Sequence, residues 1–202
     1  MEYFFYCRDN PGTGALRKQS EEEHWTFMDA YASGFVARGP TMTDDGTAQN
    51  GSMHIVDLPD AAAARRFAYE EPRYKAGLYG EVIVRRFQNE LGRDMWSFKG
   101  DAEKNQRFLI IARGKPGADP RATLQDARRQ YHARNGYDGS LIAGGSLLSD
   151  DGSRWMGSVL MVELRDRAAV DAMLAGDPWV QAESYEDIAT QRWRFGGRQH
   201  LR

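Results

Sequence analysis

Asp9, Arg17, His24 and Tyr31 are the residues whose types and spacing could do chemistry. Arg17, His24 and Tyr31 stand seven residues apart. On an α-helix seven steps leave only about 20° of drift, so the three would share one stripe. A carboxylate beside an imidazole fixes its tautomer and stabilises its cation, and such a histidine moves protons near neutral pH. An arginine can grip an anionic group in bidentate fashion. The competing reading from the residues alone is structural: a partly buried, satisfied His24, with Arg17 paired to Glu21 on the surface. The run Glu21-Glu22-Glu23 is favourable charge in a first helical turn or a solvated face.

Other candidates offer less. His54 alternates with Met53 and Ile55 in a strand pattern; it could face the solvent or a pocket, and the structural reading is favoured. Ser52 follows Gly51 at a strand start and could donate a hydrogen bond into a pocket. No G-x-S-x-G is present, which leaves serine hydrolase chemistry unsupported. Histidines 24, 54, 132 and 200 lack metal-ligand spacing. No glycine-rich phosphate loop follows a strand. The reading therefore expects no metal and no cofactor. Asp44-Asp45-Gly46 is turn chemistry, and Cys7, in an aromatic run, is expected to be inert.

The elements that must position these residues are written twice. GPTMTDDGTAQNGSMHIVDLPDAAAA begins at Gly39, and GSLLSDDGSRWMGSVLMVELRDRAAV begins at Gly145, 106 residues on. At that offset Pro72, Ala76 and Tyr79 meet Pro178, Ala182 and Tyr185. Each unit reads as Tyr3–Arg8 strand, Leu16–Tyr31 helix, Phe35–Gly39 strand, Ser52–Leu58 strand, Ala61–Tyr69 helix capped by Asp60 and ended by Pro72, and Tyr79–Phe87 strand. The order β-α-β-β-α-β is the ferredoxin-like split βαβ. Its sheet has one bare face, which a second unit can cover. The expected fold is α+β: two ferredoxin-like units packed sheet to sheet within one chain. Expected boundaries are residues 1–88, a linker at 89–105 whose Met95, Trp96 and Phe98 pack down, and residues 106–197.

The 202 residues carry 41% hydrophobic and 28% charged side chains and a net charge of −2, ordinary for a globular protein. That balance argues against a nucleic-acid partner. One cysteine excludes an intrachain disulfide, and no apolar run of about 18 residues exists to span a membrane. The first residues lack the basic region and apolar core of a secretion signal, so a cytoplasmic location is expected. Arginine in excess of lysine, with abundant alanine and glycine, fits a GC-rich bacterial source.

The first unit resembles the YCII-related proteins, which have the dimeric α+β barrel fold. The features carrying the resemblance are Asp9 after the first strand, Arg17 seven residues before His24, and Arg38-Gly39-Pro40 in place of AGP. Gly51-Ser52 and Glu71-Pro72-Arg73-Tyr74-Lys75-Ala76-Gly77-Leu78-Tyr79 complete it. The last is similar to that family's DPY-x-x-AG stretch, with Glu71 for the usual aspartate. Residues 106–195 resemble it less well, keeping Asp177-Pro178-Trp179 but not the Gly-Leu. The resemblance implies an intrachain barrel and, by carry-over of the family's Asp–His pair, Asp9 and His24 as catalytic residues. Arg17, Tyr31 and Ser52 would bind substrate. It implies a cofactor-independent isomerase, lyase or HX-eliminating enzyme on a small cyclic or enolisable metabolite; one branch of the family is associated with dehydrochlorination. A non-catalytic small-molecule binder or interaction protein using the same cavity is the alternative. A cofactor-free monooxygenase is suggested by the superfold alone. The expected assembly is a monomeric pseudo-dimer or a homodimer. In the second unit Gly114 stands for Asp9, Gln130 for His24 and Thr123 for Arg17, or Arg121 after a two-residue slip. His132 falls on another face. That unit reads as scaffold, with its polar set lost.

Overall fold

The computed structural model describes residues 1–198. The first unit contains β1 (Glu2–Asp9), α1 (Gly14–Gln19), α2 (Glu21–Asp29), β2 (Phe35–Met42), β3 (Gln49–Asp57), α3 (Ala61–Tyr69), α4 (Pro72–Lys75) and β4 (Tyr79–Asn89). The second contains β5 (Gln106–Gly114), α5 (Arg121–Arg134), β6 (Leu141–Leu148), β7 (Trp155–Leu164), α6 (Arg167–Gly176), α7 (Pro178–Gln181) and β8 (Tyr185–Trp193). The eight strands form one closed barrel in the order β1-β3-β2-β8-β5-β7-β6-β4. Each unit contributes its four strands in the ferredoxin-like order. The units are joined edge to edge: Thr41 and Met42 pair with Trp193 and Arg192, and Arg86–Asn89 pair with Leu148–Gly145. Closure removes every exposed sheet edge.

Closure also explains the unbroken apolar runs. In Tyr3–Cys7 every residue is buried, because one face of β1 meets the barrel interior and the other meets helices. Phe4 and Tyr6 join Met53, Ile55, Leu109 and Met161 inside the barrel. Tyr3 and Phe5 point outward to Met28, Phe35, Val56 and Phe67. The second unit repeats the outer layer with Phe108, Leu141, Val162, Val170 and Met173.

Local chemistry fixes the element ends. Asp60 Oδ1 accepts the Ala63 N–H at 2.7 Å, and Asp166 does the same for Ala169 at 2.9 Å. Pro72 does not end α3. It is the first residue of α4, where its missing N–H leaves no bond unmade. The segment after β4 packs as anticipated through Met95, fully buried with its N–H on the Val36 carbonyl at 2.9 Å, while Trp96 stays 40% exposed. Tyr31 lies beyond the end of α2, in a short 3-10 turn region, and the helix breaks at Ser20. The single stripe expected for Arg17, His24 and Tyr31 is therefore not formed. Gly39 and Gly145 carry no side chain because two backbone strands cross there. A Cβ on Gly39 would collide with the Arg194 carbonyl oxygen, and one on Gly145 with that of Gln88.

Candidate functional site

The β3 strand faces α1, α2 and α4 across a cavity of about 320 Å³. Arg17, His24, Ser52, His54 and Arg73 line it from the first unit, and Arg194–Gly197 close it from the second. That tail is held by two backbone bonds, Arg194 N–H to Pro40 O at 3.3 Å and Gly196 N–H to Arg38 O at 3.0 Å. The cavity therefore needs both units.

Asp9 sits where β1 ends in a bulge. Its carboxylate does not reach His24 as the carry-over required. It accepts both arms of Arg17, Nε at 2.8 Å and Nη2 at 2.5 Å. Arg17 spends its remaining donors on Ser52 Oγ at 3.2 Å and Gln49 Oε1 at 3.3 Å. Burial alone would lower the Arg17 pKa, yet the Asp9 bond and neighbouring charges raise it. Arg17 thus has its fork filled by protein and holds the cavity wall instead of offering a free clamp. Ser52 is in the wall as expected, and Tyr79 Oη approaches it at 3.5 Å. Tyr31 is absent from the cavity. Its ring packs at 5.3 Å on Phe27 and 4.9 Å on Phe67.

The partner of His24 is Glu71, the N-cap of α4. His24 Nδ1 lies 2.6 Å from Glu71 Oε1, and the two side chains are only 9% and 4% exposed. The other Glu71 oxygen accepts the Tyr74 N–H at 3.0 Å. Burial raises the Glu71 pKa, but the His24 and backbone bonds outweigh it and the net shift is downward. Burial chiefly, with Arg73 and Arg17 nearby, holds the His24 pKa below the ordinary histidine value despite Glu71. The consistent state is an ionised carboxylate accepting Nδ1–H from a neutral imidazole. The Nε2 lone pair is then the free one.

His54 is the second imidazole of the site, its ring centre 6.1 Å from that of His24. Phe67 and Phe35 pack against it at 5.6 and 5.9 Å. Its pKa is driven well below the usual value by burial, by His24 and by the arginines, so it is neutral. The strand alternation of β3 does not expose it, because the barrel covers one face and helices the other. Arg73 is buried, donates to the Arg17 carbonyl at 3.3 Å, and leaves Nε without a partner. Glu71 and Arg73 were the residues missed, and His54 faces the pocket although the structural reading was favoured. For Glu71 and Arg73 the signal was present, since both fall inside the EPRYKAGLY stretch.

The second unit corrects the expectation of a lost polar set. Asp177 caps α7 as Glu71 caps α4, but it binds Arg128 Nε at 2.8 Å, with His132 Nε2 at 3.7 Å. The buried pair of α5 is Arg128 and His132, and that of α2 is His24 and Met28. The helices thus match two residues out of the strand register, and Arg128 takes the place of His24. Trp179 replaces Arg73 and carries Arg128 over its ring at 4.3 Å, while Leu160 replaces His54. Glu90, from the crossing tail of the first unit, bonds Ser146 at 2.5 Å and Gln125 at 3.1 Å. Arg128, Trp179 and Glu90 are the side chains that stand at the equivalent place.

The model of the YCII-related domain matches residues 1–88 and again residues 106–194. The chain belongs to the YCII-related family. No curated protein matches it. Among solved structures this tandem YCII chain is similar to a putative chlorite dismutase, TA0507, with TM-score 0.60 and 10% identity over 96% of this chain and 94% of that one. A putative monooxygenase of Fusobacterium nucleatum matches at TM-score 0.58 and 7% identity, covering 96% and 91%. These two share its fold. A third match is 5-chloro-2-hydroxyhydroquinone dehydrochlorinase of Burkholderia phenoliruptrix AC1100, in complex with 2,5-dihydroxybenzoquinone. It is 25% identical at TM-score 0.41 and covers 44% of this chain and 94% of that one. Among the described residues no helix is long and apolar enough to cross a membrane, and no cluster of three or more histidine, cysteine, aspartate or glutamate side chains could hold a metal.

Proposed function

We propose that the chain is an acid/base enzyme, working without a cofactor, on a small enolisable anion. The observation that carries this is the buried His24–Glu71 pair, 2.6 Å apart, at a cavity wall. Nε2 of His24 takes a proton from carbon beside a carbonyl, and the C–H electron pair forms the enolate. Glu71 stabilises the imidazolium so produced, as a carboxylate does in such dyads. Arg73 and the neutral His54 face the same space and hold the enolate oxygen, and Arg38 and Arg194 add positive charge around it. Returning the proton to another carbon gives isomerisation. Expelling an anion X⁻ from the adjacent carbon, with the proton leaving separately, gives elimination of HX. Asp9 and Ser52 act through Arg17, as positioning residues.

The non-catalytic reading rests on the same positive charge, which would suit anion binding without chemistry. Solvent deuterium exchange separates the two. Full-length protein in D₂O with a panel of small 2-oxo and 3-oxo acids should speed C–H exchange of at least one, and His24→Gln should abolish that acceleration. Binding without exchange, equal in wild type and His24→Gln, refutes the enzyme reading.

A further inference from the structure

An apolar space lies at the mouth of the barrel, lined by strands of both units and away from His24. It is a cavity of about 510 Å³, within the range of roughly 300–1,000 Å³ seen for small-molecule sites. Ile83, Ile111, Leu147 and Met156, one each from β4, β5, β6 and β7, line its floor.

The repeat-related side of the same barrel end shows what the same backbone does when no ligand is to be taken. Tyr6 occupies on β1 the place of Ile111 on β5, opposite Ile83 and Ala189 respectively. Thr41 stands where Leu147 stands, opposite Gly51 and Gly157. Gln191 stands where Arg85 stands, opposite Leu109 and Phe4. On that side Gln191 Nε2 donates to Tyr6 Oη at 2.6 Å, and the Tyr6 hydroxyl lies beside Thr41. A polar contact therefore fills that half of the barrel end. On the other half the corresponding positions are the aliphatic Ile111 and Leu147, and a cavity remains.

The rim of the open mouth is basic: Arg85, Arg113, Lys115 and Arg154 against Asp119 and Glu186. Both acids are already engaged, Glu186 with Arg113 at 3.1 Å and Asp119 with Arg121 at 2.6 Å. Lys115 reaches Glu183 at 3.5 Å. Arg85 and Arg154 form no ion pair among the described residues. The rim carries four basic side chains against two acids, and an apolar floor under that excess of positive charge is complementary to a ligand with an aliphatic or aromatic body and one anionic head.

We propose that this mouth is a second ligand site, separate from the His24 cavity, for a small amphiphilic carboxylate. The head lies against Arg85 and Arg154, and the body enters between Ile83, Ile111, Leu147 and Met156. Decanoate, below its micellar concentration, is a suitable probe on the full chain with methyl groups labelled for NMR. It should shift the Ile83, Ile111 and Met156 methyls in a saturable way and leave Met28, in the other cavity, unmoved. Decyltrimethylammonium should bind at least ten-fold more weakly. Copying the Tyr6–Gln191 plug of the related side, Ile111→Tyr with Arg85→Gln, should abolish decanoate binding while the His24 ring signals stay in place. Arg154→Glu alters an exposed side chain only and should weaken decanoate about five-fold, as expected for one exposed charge. The proposal is overturned by no shift at the three methyls, by shifts at Met28 instead, or by equal binding of the ammonium. Undiminished binding in a folded plug variant, or in Arg154→Glu, overturns it as well.

Discussion

Replacing His54 by leucine, the residue the second unit has at that place, should stabilise the protein while impairing the site. The buried imidazole makes no hydrogen bond among the described residues; it packs on the rings of His24, Phe35 and Phe67 and lines the cavity. A buried polar group without a protein partner costs up to about 1–3 kcal/mol. A leucine of similar reach recovers most of that through apolar contact, so His54→Leu should gain about 1–2 kcal/mol at pH 7. For a chain of this size each kcal/mol moves Tm by about 2–4 °C. The pH dependence adds a second signature. The folded His54 pKa lies well below the usual value, so the unfolded chain takes up the proton first as pH falls. Stability is therefore lost below about pH 6.5, at about 1.4 kcal/mol per pH unit for one such group. The gap between variant and wild type should widen by about 1 kcal/mol between pH 6.5 and 5.5, approaching the full slope only below that. Urea unfolding from pH 7.5 to 5.5, followed by far-UV circular dichroism, measures both. A variant less stable than wild type at pH 7, or a gap that stays constant with pH, refutes the picture of a neutral, unpaired imidazole retained for function.

Three further outcomes follow from the same geometry. Asp9→Ala leaves the Arg17 guanidinium buried without its bidentate partner, and loss of one member of a buried pair costs about 3–5 kcal/mol; urea midpoints check it, and Asp9→Asn should recover part of the loss. Gly39→Ala must push back the Arg194 carbonyl, which should destabilise by about 1–3 kcal/mol as overpacking does and displace the tail from the cavity, visible as shifted Phe195 ring signals. Glu71→Gln keeps the side-chain shape but removes the charge facing His24, so any exchange activity found should fall by about 10²–10⁴-fold with little change in substrate affinity.

The fold was legible because repetition supplied it. One register relates Gly39–Leu58 to Gly145–Leu164, and alternation and capping residues define the strands and outer helices within each copy. Barrel closure was implied by the bare sheet faces, but the joining ladders, β2 to β8 and β4 to β6, leave no mark in the sequence. The site was legible in part. Arg17, His24 and Ser52 do converge, yet the pairing of acids with bases was misread, because Asp9 and Glu71 are equally plausible neighbours until the chain path is known. The first unit's helix breaks at Ser20 and ends at Asp29, leaving Tyr31 out of the stripe, and the second unit's unbroken helix stands two residues out of the strand register. That shift hid Arg128 and His132 as the occupants of the matching space. His54 looked structural because alternation cannot tell a strand buried on both faces from one facing solvent.

The central claim is a neutral His24 whose Nδ1–H is held by an ionised Glu71. Nitrogen-15 NMR of the His24 ring, titrated from pH 8 to 5, tests it most directly. The structure leads us to expect the Nδ1–H tautomer, a strongly deshielded Nδ1 proton that Glu71→Gln moves upfield, and a pKa below the ordinary value of about 6.5. An Nε2–H tautomer, or a solvent-like pKa unmoved by Glu71→Gln, would contradict the account.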